Sequence, residues 1–136
     1  MAITLAAATI TAAINAACDA IVDLVDAGAG PGTIVLQTAG DVEVATLTWA
    51  DPAFGSAAAG VATANAIVND SDATGNAAAV TNFDVKDSDL NLIWDGAVAE
   101  SGSDLNIDDG NPGGGVVIDV NAVVSISSIT FTIAFV

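Results

Sequence analysis

One segment of the chain carries helical spacing, and everything after it reads as strand and turn. Over Thr9–Ala27 the residues Ile10, Ile14, Cys18, Ile21 and Val25 recur at intervals of four, four, three and four, which places them on a single stripe of an α-helix. Alanines at 12, 13, 16, 17 and 20 add helix propensity without bulk. Thr9 is the expected N-cap. Asp19, Asp23 and Asp26 fall off the apolar stripe and are expected to face water, at the end where the helix dipole disfavours anions. The stripe must therefore be held by packing against a sheet. Gly28, Gly30, Pro31 and Gly32 end the helix.

From Thr33 onward short β-branched runs alternate with turn clusters. Thr33–Thr38 and Val42–Trp49 flank Ala39-Gly40-Asp41 and predict a hairpin. Asp51-Pro52 breaks the second strand and opens a loop through Phe54. Val61–Val68 alternates, with Val61, Thr63, Asn65 and Ile67 on one face. Asn69–Asn76 is a turn cluster. Ala79–Val85 and Leu90–Trp94 predict two strands around a turn at Asp87–Asp89, and Glu100–Gly115 is turn-rich. Val116–Val120 is a short apolar strand candidate. Val123–Phe135 is the longest candidate, but Val124 and Ile126 lie on one parity and Ile129, Phe131, Ile133 and Phe135 on the other. A strand of period two cannot keep both sets on one face, so a bulge or bend is expected near Ser127–Ser128. The pattern predicts a mostly β fold: a β-sandwich or jelly-roll-like domain with one N-terminal helix. The whole chain, 1–136, reads as a single domain, with the helix at about 9–27 and the sandwich at about 33–136.

Composition narrows function more than fold. Asp and Glu total 17, Lys and Arg total 1 and His is absent, for a net charge of −16. Apolar residues make up 53% and charged residues only 13%, which separates this chain from acidic disordered tails. With Lys86 as the one cation, a series of phosphates cannot be neutralised, so neither nucleic acid nor an anionic membrane is an expected partner. The absence of His and Tyr removes the commonest general base and the phenolic acid. The single Cys18 cannot close an intrachain disulfide, and no basic leader or uninterrupted apolar run of membrane-spanning length stands out. A cytoplasmic origin is the expectation.

The remaining candidates for chemistry are acidic. Asp70, Asp72, Thr74 and Gly75 match the first half of a calcium loop, but Thr81 stands where the bidentate Glu belongs and no helices flank the site. Asp also forms turns by itself. Asp104, Asn106, Asp108 and Asp109 form a second oxygen-rich patch. Asp87, Asp89, Asp95 and Glu100 are close enough in sequence to suggest a carboxylate pair for glycoside hydrolysis, and a solvated face is the plainer reading. Cys18, on the apolar stripe with no cation near it, reads as a buried inert thiol. Lys86 can pair with Asp84, Asp87 or Asp89. Trp49, Phe54, Trp94, Phe131 and Phe135 read as core. Gly113-Gly114-Gly115 lacks the following helix and Lys of a phosphate loop. No catalytic residue and no bound cofactor is expected, calcium at Asp70, Asp72 and Thr74 being the one weak metal candidate.

The ordered blocks Asn15–Gly32, Leu47–Gly55, Gly60–Asn69, Asp70–Asp89, Ser101–Asn106 and Val123–Phe135 resemble a family of small structural proteins of tailed bacteriophages, some of which are similar to capsid decoration, or cement, proteins. The resemblance spans nearly the whole chain. It departs at the short Ala39–Asp41 connection and at the acidic, glycine-rich Asn106–Gly115 stretch. It implies a virion protein on the outer surface of the capsid, assembled in the host cytoplasm, which bridges major capsid protein subunits and self-associates as a dimer or trimer. It offers no catalytic residues. Under this reading the contacts are expected at Met1, Ile3 and Leu5 and at the loop of Pro52 and Phe54. The alternatives are a tail, baseplate or fibre component, or a calcium-dependent binding module.

Overall fold

A computed structural model describes residues 4–107 and 113–134. Helix α1 spans Ala7–Val22 and runs on into a 3-10 turn at Asp23–Asp26. It starts earlier than expected. Ala6, in extended conformation, is the N-cap without a side-chain bond, and its carbonyl accepts from the amides of Thr9 and Ile10 at 2.9 and 3.1 Å. Alanines at 6–8 carry the helix back past Thr9, which therefore sits inside the first turn and caps nothing. The predicted stripe is buried only in its second half. Cys18 and Val25 are fully buried, Val22 joins them, and Ile14 and Ile21 are half-covered. Residues 4–13 are all exposed.

Among the described residues eight strands follow. β1 (Thr33–Thr38), β2 (Glu43–Trp49), β4 (Ile67–Val68), β5 (Val80–Lys86), β6 (Leu92–Ala99) and β7 (Leu105–Asn106) form one sheet in the order β4-β2-β1-β5-β6-β7. β3 (Val61–Thr63) and β8 (Thr130–Thr132) form a second, two-stranded sheet. All pairings are antiparallel except β6 with β7. The fold is mostly β with one N-terminal helix, as the pattern predicts.

Register fixes the faces. Ile34 pairs with Leu47 and Val85, and Leu36 with Ala45 and Phe83, so these side chains share one face and build the core. Thr33, Thr46, Thr48, Asp84 and Lys86 take the other face, where the Lys86 ammonium meets the Asp84 carboxylate at 3.1 Å. A half-exposed pair of this kind contributes little. α1 packs on β3 and β8. Gly60 permits the close approach: at φ 79°, with Ile14 and the Ile133 carbonyl against it, there is no room for a side chain. A row of aromatic rings links the two sheets, Trp49 to Phe54 at 5.0 Å, Phe54 to Trp94 at 6.1 Å and Trp94 to Phe131 at 5.1 Å between centroids. Phe135 lies outside the described residues.

Three expected strands come out differently. Val61–Val68 is not one strand: Ala64 donates to the Ile129 carbonyl and Asn65 to that of Ala53, so the chain leaves β3 and crosses to the other sheet before β4. Val116–Val120 contributes one isolated bridge, Ile118 with Asn76. Val123–Phe135 pairs at Val124 and then only at β8. Its change of parity falls in the unpaired stretch between, with Val124 and Ile126 buried and Ile129, Phe131 and Ile133 half-covered. β7 was not anticipated, because two residues inside a turn-rich stretch carry no periodicity. β6 runs past its expected end at Trp94 because Gly96 lets the Phe83 ring lie over the backbone, where a Cβ would come within 2.6 Å of the ring.

The aromatic row makes Phe54 a core residue. Phe54→Ala is expected to destabilise by about 3–5 kcal/mol in urea unfolding, whereas Ser56→Ala at an exposed position of the same loop changes stability by less than about 0.5 kcal/mol. A loss below about 1 kcal/mol at Phe54 would show that the row does not hold the sheets together.

Candidate interaction surface and its carboxylates

Three polar residues of the helical segment turn to backbone amides rather than to water. Asn15 Oδ1 accepts from the Gly60 amide at 2.8 Å, Asp19 Oδ1 from the Ala57 amide at 2.6 Å, and both Asp26 oxygens from the Ala53 amide at 2.9 and 3.1 Å. Positions 15, 19 and 26 lie on one side of the helical segment and pin the 53–60 loop along its length. This corrects the expectation for Asp19 and Asp26, while Asp23 is exposed as expected. Spacing alone hides the feature, because a polar stripe looks the same whether water or loop amides satisfy it. Burial pushes the Asp26 carboxyl above the usual carboxylate range, and the nearby charges of Asp51 and Asp23 add to the rise against the opposing bond from Ala53.

Other acids do similar work. In the Asp87–Asn91 turn joining β5 and β6, Asp87 Oδ1 accepts from the amides of Asp89 and Asn91 at 2.9 and 2.8 Å, and Oδ2 from Asn91 Nδ2 at 2.8 Å. Asp87 is buried. The Asn91 side chain, joined by these amides, holds its carboxyl below the usual range. Glu100 accepts from the amides of Gly113 and Gly115, so the glycine run already holds an anion of its own. Asp104 accepts from the Ala97 amide at 3.0 Å.

The calcium candidate is built as a turn. Asp70 Oδ2 accepts from the Thr46 amide at 2.8 Å and Oδ1 from the Asp72 amide at 3.0 Å, while its backbone pairs with Val124 in both directions. Asp72 and Thr74 are exposed. Among the described residues no three His, Cys, Asp or Glu side chains gather where they could hold a metal ion. In the second patch, Asn106 Oδ1 accepts from the Ser103 amide at 3.1 Å; Asp108 and Asp109 lie outside the described residues. The four acids considered for hydrolysis do not converge: Asp87 closes its turn, Asp89 and Asp95 are exposed, and Glu100 holds the glycines. The Cys18 thiol is fully buried and donates to the Phe131 carbonyl at 3.8 Å, and burial pushes its pKa up.

Of the expected contact residues, Leu5 is 54% exposed and Pro52 is exposed. Phe54, at 6%, is not at the surface; this corrects the expectation, and the cause is its place between Trp49 and Trp94. Met1 and Ile3 lie outside the described residues. The sequence reading missed a second apolar surface, where Val120 and Val123 stand 65% and 67% exposed beside a hollow of about 330 Å³ floored by Ile118 and Val124. The segment Ala7–Asp26, 20 residues with an 18-residue stretch of mean hydropathy 1.5, is by length and composition long and apolar enough to cross a membrane, where the sequence predicted no membrane-spanning helix. In this fold Cys18, Val22 and Val25 on it enter the core, and Asn15, Asp19 and Asp26 hold the 53–60 loop.

Comparison with known proteins gives no neighbour: no family model, no curated protein and no solved structure matches the chain.

Asp19→Ala leaves the Ala57 amide without its acceptor and is expected to destabilise by about 1–3 kcal/mol, Asp19→Asn to recover most of the loss, and Asp23→Ala to change stability by less than about 0.5 kcal/mol. Equal effects at 19 and 23 in chemical unfolding would contradict the pinning. The two shifted carboxyls act in opposite directions with pH. Asp26, raised on folding, contributes stability that is fully present below the ordinary carboxylate pKa and is lost as pH rises through its folded value. Asp87, lowered on folding, contributes stability present above the ordinary pKa and lost as pH falls through its folded value. Carboxyl titration by NMR should place Asp26 above and Asp87 below the exposed aspartates, and Asp26→Asn should gain on the parent chain between about pH 4 and pH 7.

Proposed function

We propose that this protein is a structural component of a bacteriophage virion, a cement protein that binds the outside of the capsid and bridges major capsid protein subunits. Exposed aliphatic side chains on an otherwise acidic body carry this reading, Val120 and Val123 beside one hollow and Leu5 on the uncharged segment before the core. Apolar patches rimmed by polar residues are a common form of protein-binding surface. The net charge of −16 favours basic patches on a shell and keeps free copies apart. The order of sequence blocks shared with small phage structural proteins supports the same reading. A tail, baseplate or fibre component is the second reading, since the same module and charge suit any acidic virion part; copy number separates the two. A calcium-dependent module is less favoured, because the Asp70 carboxylate is already occupied by backbone amides.

Quantitative mass spectrometry of purified particles is expected to find the protein in copy numbers comparable to the capsid subunit, and Val120→Asp with Val123→Asp to reduce its binding to shells lacking it by tenfold or more. Absence from particles would overturn the virion reading. A few copies per particle would overturn the cement reading in favour of the tail.

A further inference from the structure

Among the described residues, two runs of backbone line a common slot. One wall is the outer edge of β7. The Ile107 amide donates to the Ala99 carbonyl at 3.0 Å, and parallel pairing of Ala99 with Asn106 turns the Asn106 amide and carbonyl to the outer side. The other wall is 125–128. The chain on either side of it is held from behind, Val124 by Asp70 and the Ile129 carbonyl by the Ala64 amide, but among the described residues no backbone group of Ser125, Ile126, Ser127 or Ser128 has a hydrogen-bond partner. Two hollows, of about 260 and 180 Å³, lie between the walls and share Leu105, Asn106 and Ser128 in their linings. Phe83, Ile126 and Ile129 supply apolar surface. Unpaired edges on both sides of an apolar-lined slot are what an inserted extended segment satisfies.

The same chain carries an unhoused segment of matching character. Residues 4–13 are all exposed, including Leu5 at 54% and Ile10 at 39%. Ala6 is extended, and no charged side chain precedes Asp19. Ile3 and Leu5 share one parity, as a strand with one apolar face requires. The helix packs from Ile14 onward, so at about 1.5 Å per residue its first two turns carry the segment roughly 10 Å clear of the packed body.

We propose that this slot receives the segment preceding α1 of a second copy of the chain as an added strand. Charge favours that guest. Two copies at −16 repel, so a self-contact needs faces without free carboxylates. The segment has none, and among the described residues one acid lines the slot, Asp104, whose carboxylate is bonded to the Ala97 amide. Each copy gives one segment and offers one slot, which closes a dimer by reciprocal exchange or a ring by head-to-tail exchange.

Sedimentation of the full chain tests this apart from any virion. The parent is expected to self-associate reversibly. Leu5→Asp, which puts a charge on the guest, and Ser127→Pro, which removes a slot amide, should each weaken association at least tenfold, with the thermal midpoint of Leu5→Asp unchanged at concentrations where the parent is monomeric. In a mixture of differently tagged Leu5→Cys and Ser128→Cys chains, a disulfide between the two tags is expected, Cys18 being buried. A monomeric parent at several hundred micromolar, association indifferent to both substitutions, or, in the doubly substituted chain, a bond closing only within one chain would overturn the proposal. Absence of the protein from particles would leave these results unaffected.

Discussion

A chain with 17 acids and one base cannot settle its carboxylates in ion pairs, and the fold depends on where it settles them instead. The backbone amide is the donor it has in quantity. Asn15, Asp19 and Asp26 take the amides of Gly60, Ala57 and Ala53, and the loop so held carries Phe54 into the aromatic row between the sheets. A backbone amide bonded to a charged acceptor such as Asp19 contributes about 1.5–3 kcal/mol, and the described residues hold a single side-chain ion pair, Lys86 with Asp84, to set beside these bonds. The helix is thus fastened twice, by Cys18, Val22 and Val25 in the core and by Asn15, Asp19 and Asp26 along an adjoining row that holds the 53–60 loop. Asp70 fastens the 70–76 turn to β2 in the same way, and Asp87 closes the β5–β6 hairpin.

This arrangement decides what the charge is available for. A carboxylate shared with one or two amides remains an anion but has lost its freedom to turn toward a ligand. Asp70, Asp87, Glu100 and Asp104 are all of this kind, which is why proximity in sequence did not become a site. The far field of −16 remains, repelling copies and anionic partners alike. Contacts must then form where free acids are few, at Leu5, along an open strand edge, or at Val120 and Val123, where Asp119 is the one described acid lining the hollow.

The sequence was most legible where structure is local. β1 matches its predicted span, and β2, β5 and the Asp87–Asp89 turn lie within a residue or two of theirs, because a short hairpin writes alternation and turn residues into adjacent positions. It was least legible where pairing is distant. Val61–Val68 alternates throughout, yet its two ends belong to different sheets, a division set by Ile129 and Ala53 from elsewhere in the chain. Phe54 reads as core by its type and as a contact by its place in the loop; the choice rests on Trp49 and Trp94, the rings that bury it, which only the fold brings together. The acids of α1 were misread for the same reason: their partners are amides, and an amide leaves no mark in the amino-acid alphabet.

The parity break in Val123–Phe135 shows how a local inconsistency can mark an incomplete region. A strand that keeps one parity can be covered on one face and paired on both edges. Here Val124 and Ile126 turn to the core on one parity and Phe131 and Ile133 on the other, and the four residues through which the parity changes bond to nothing in the described chain. Serines at 125, 127 and 128 keep that stretch soluble while it is open. A backbone run without partners among the described residues, with Val124 buried before it, Ile126 buried within it and Ile129 half-covered after it, is restrained in position without being satisfied. The physical cost of leaving it so is tolerable only while water reaches those amides, and it falls when another strand replaces the water. The same substitution would bury Leu5, the most exposed large apolar side chain before the core, so one contact would relieve both defects.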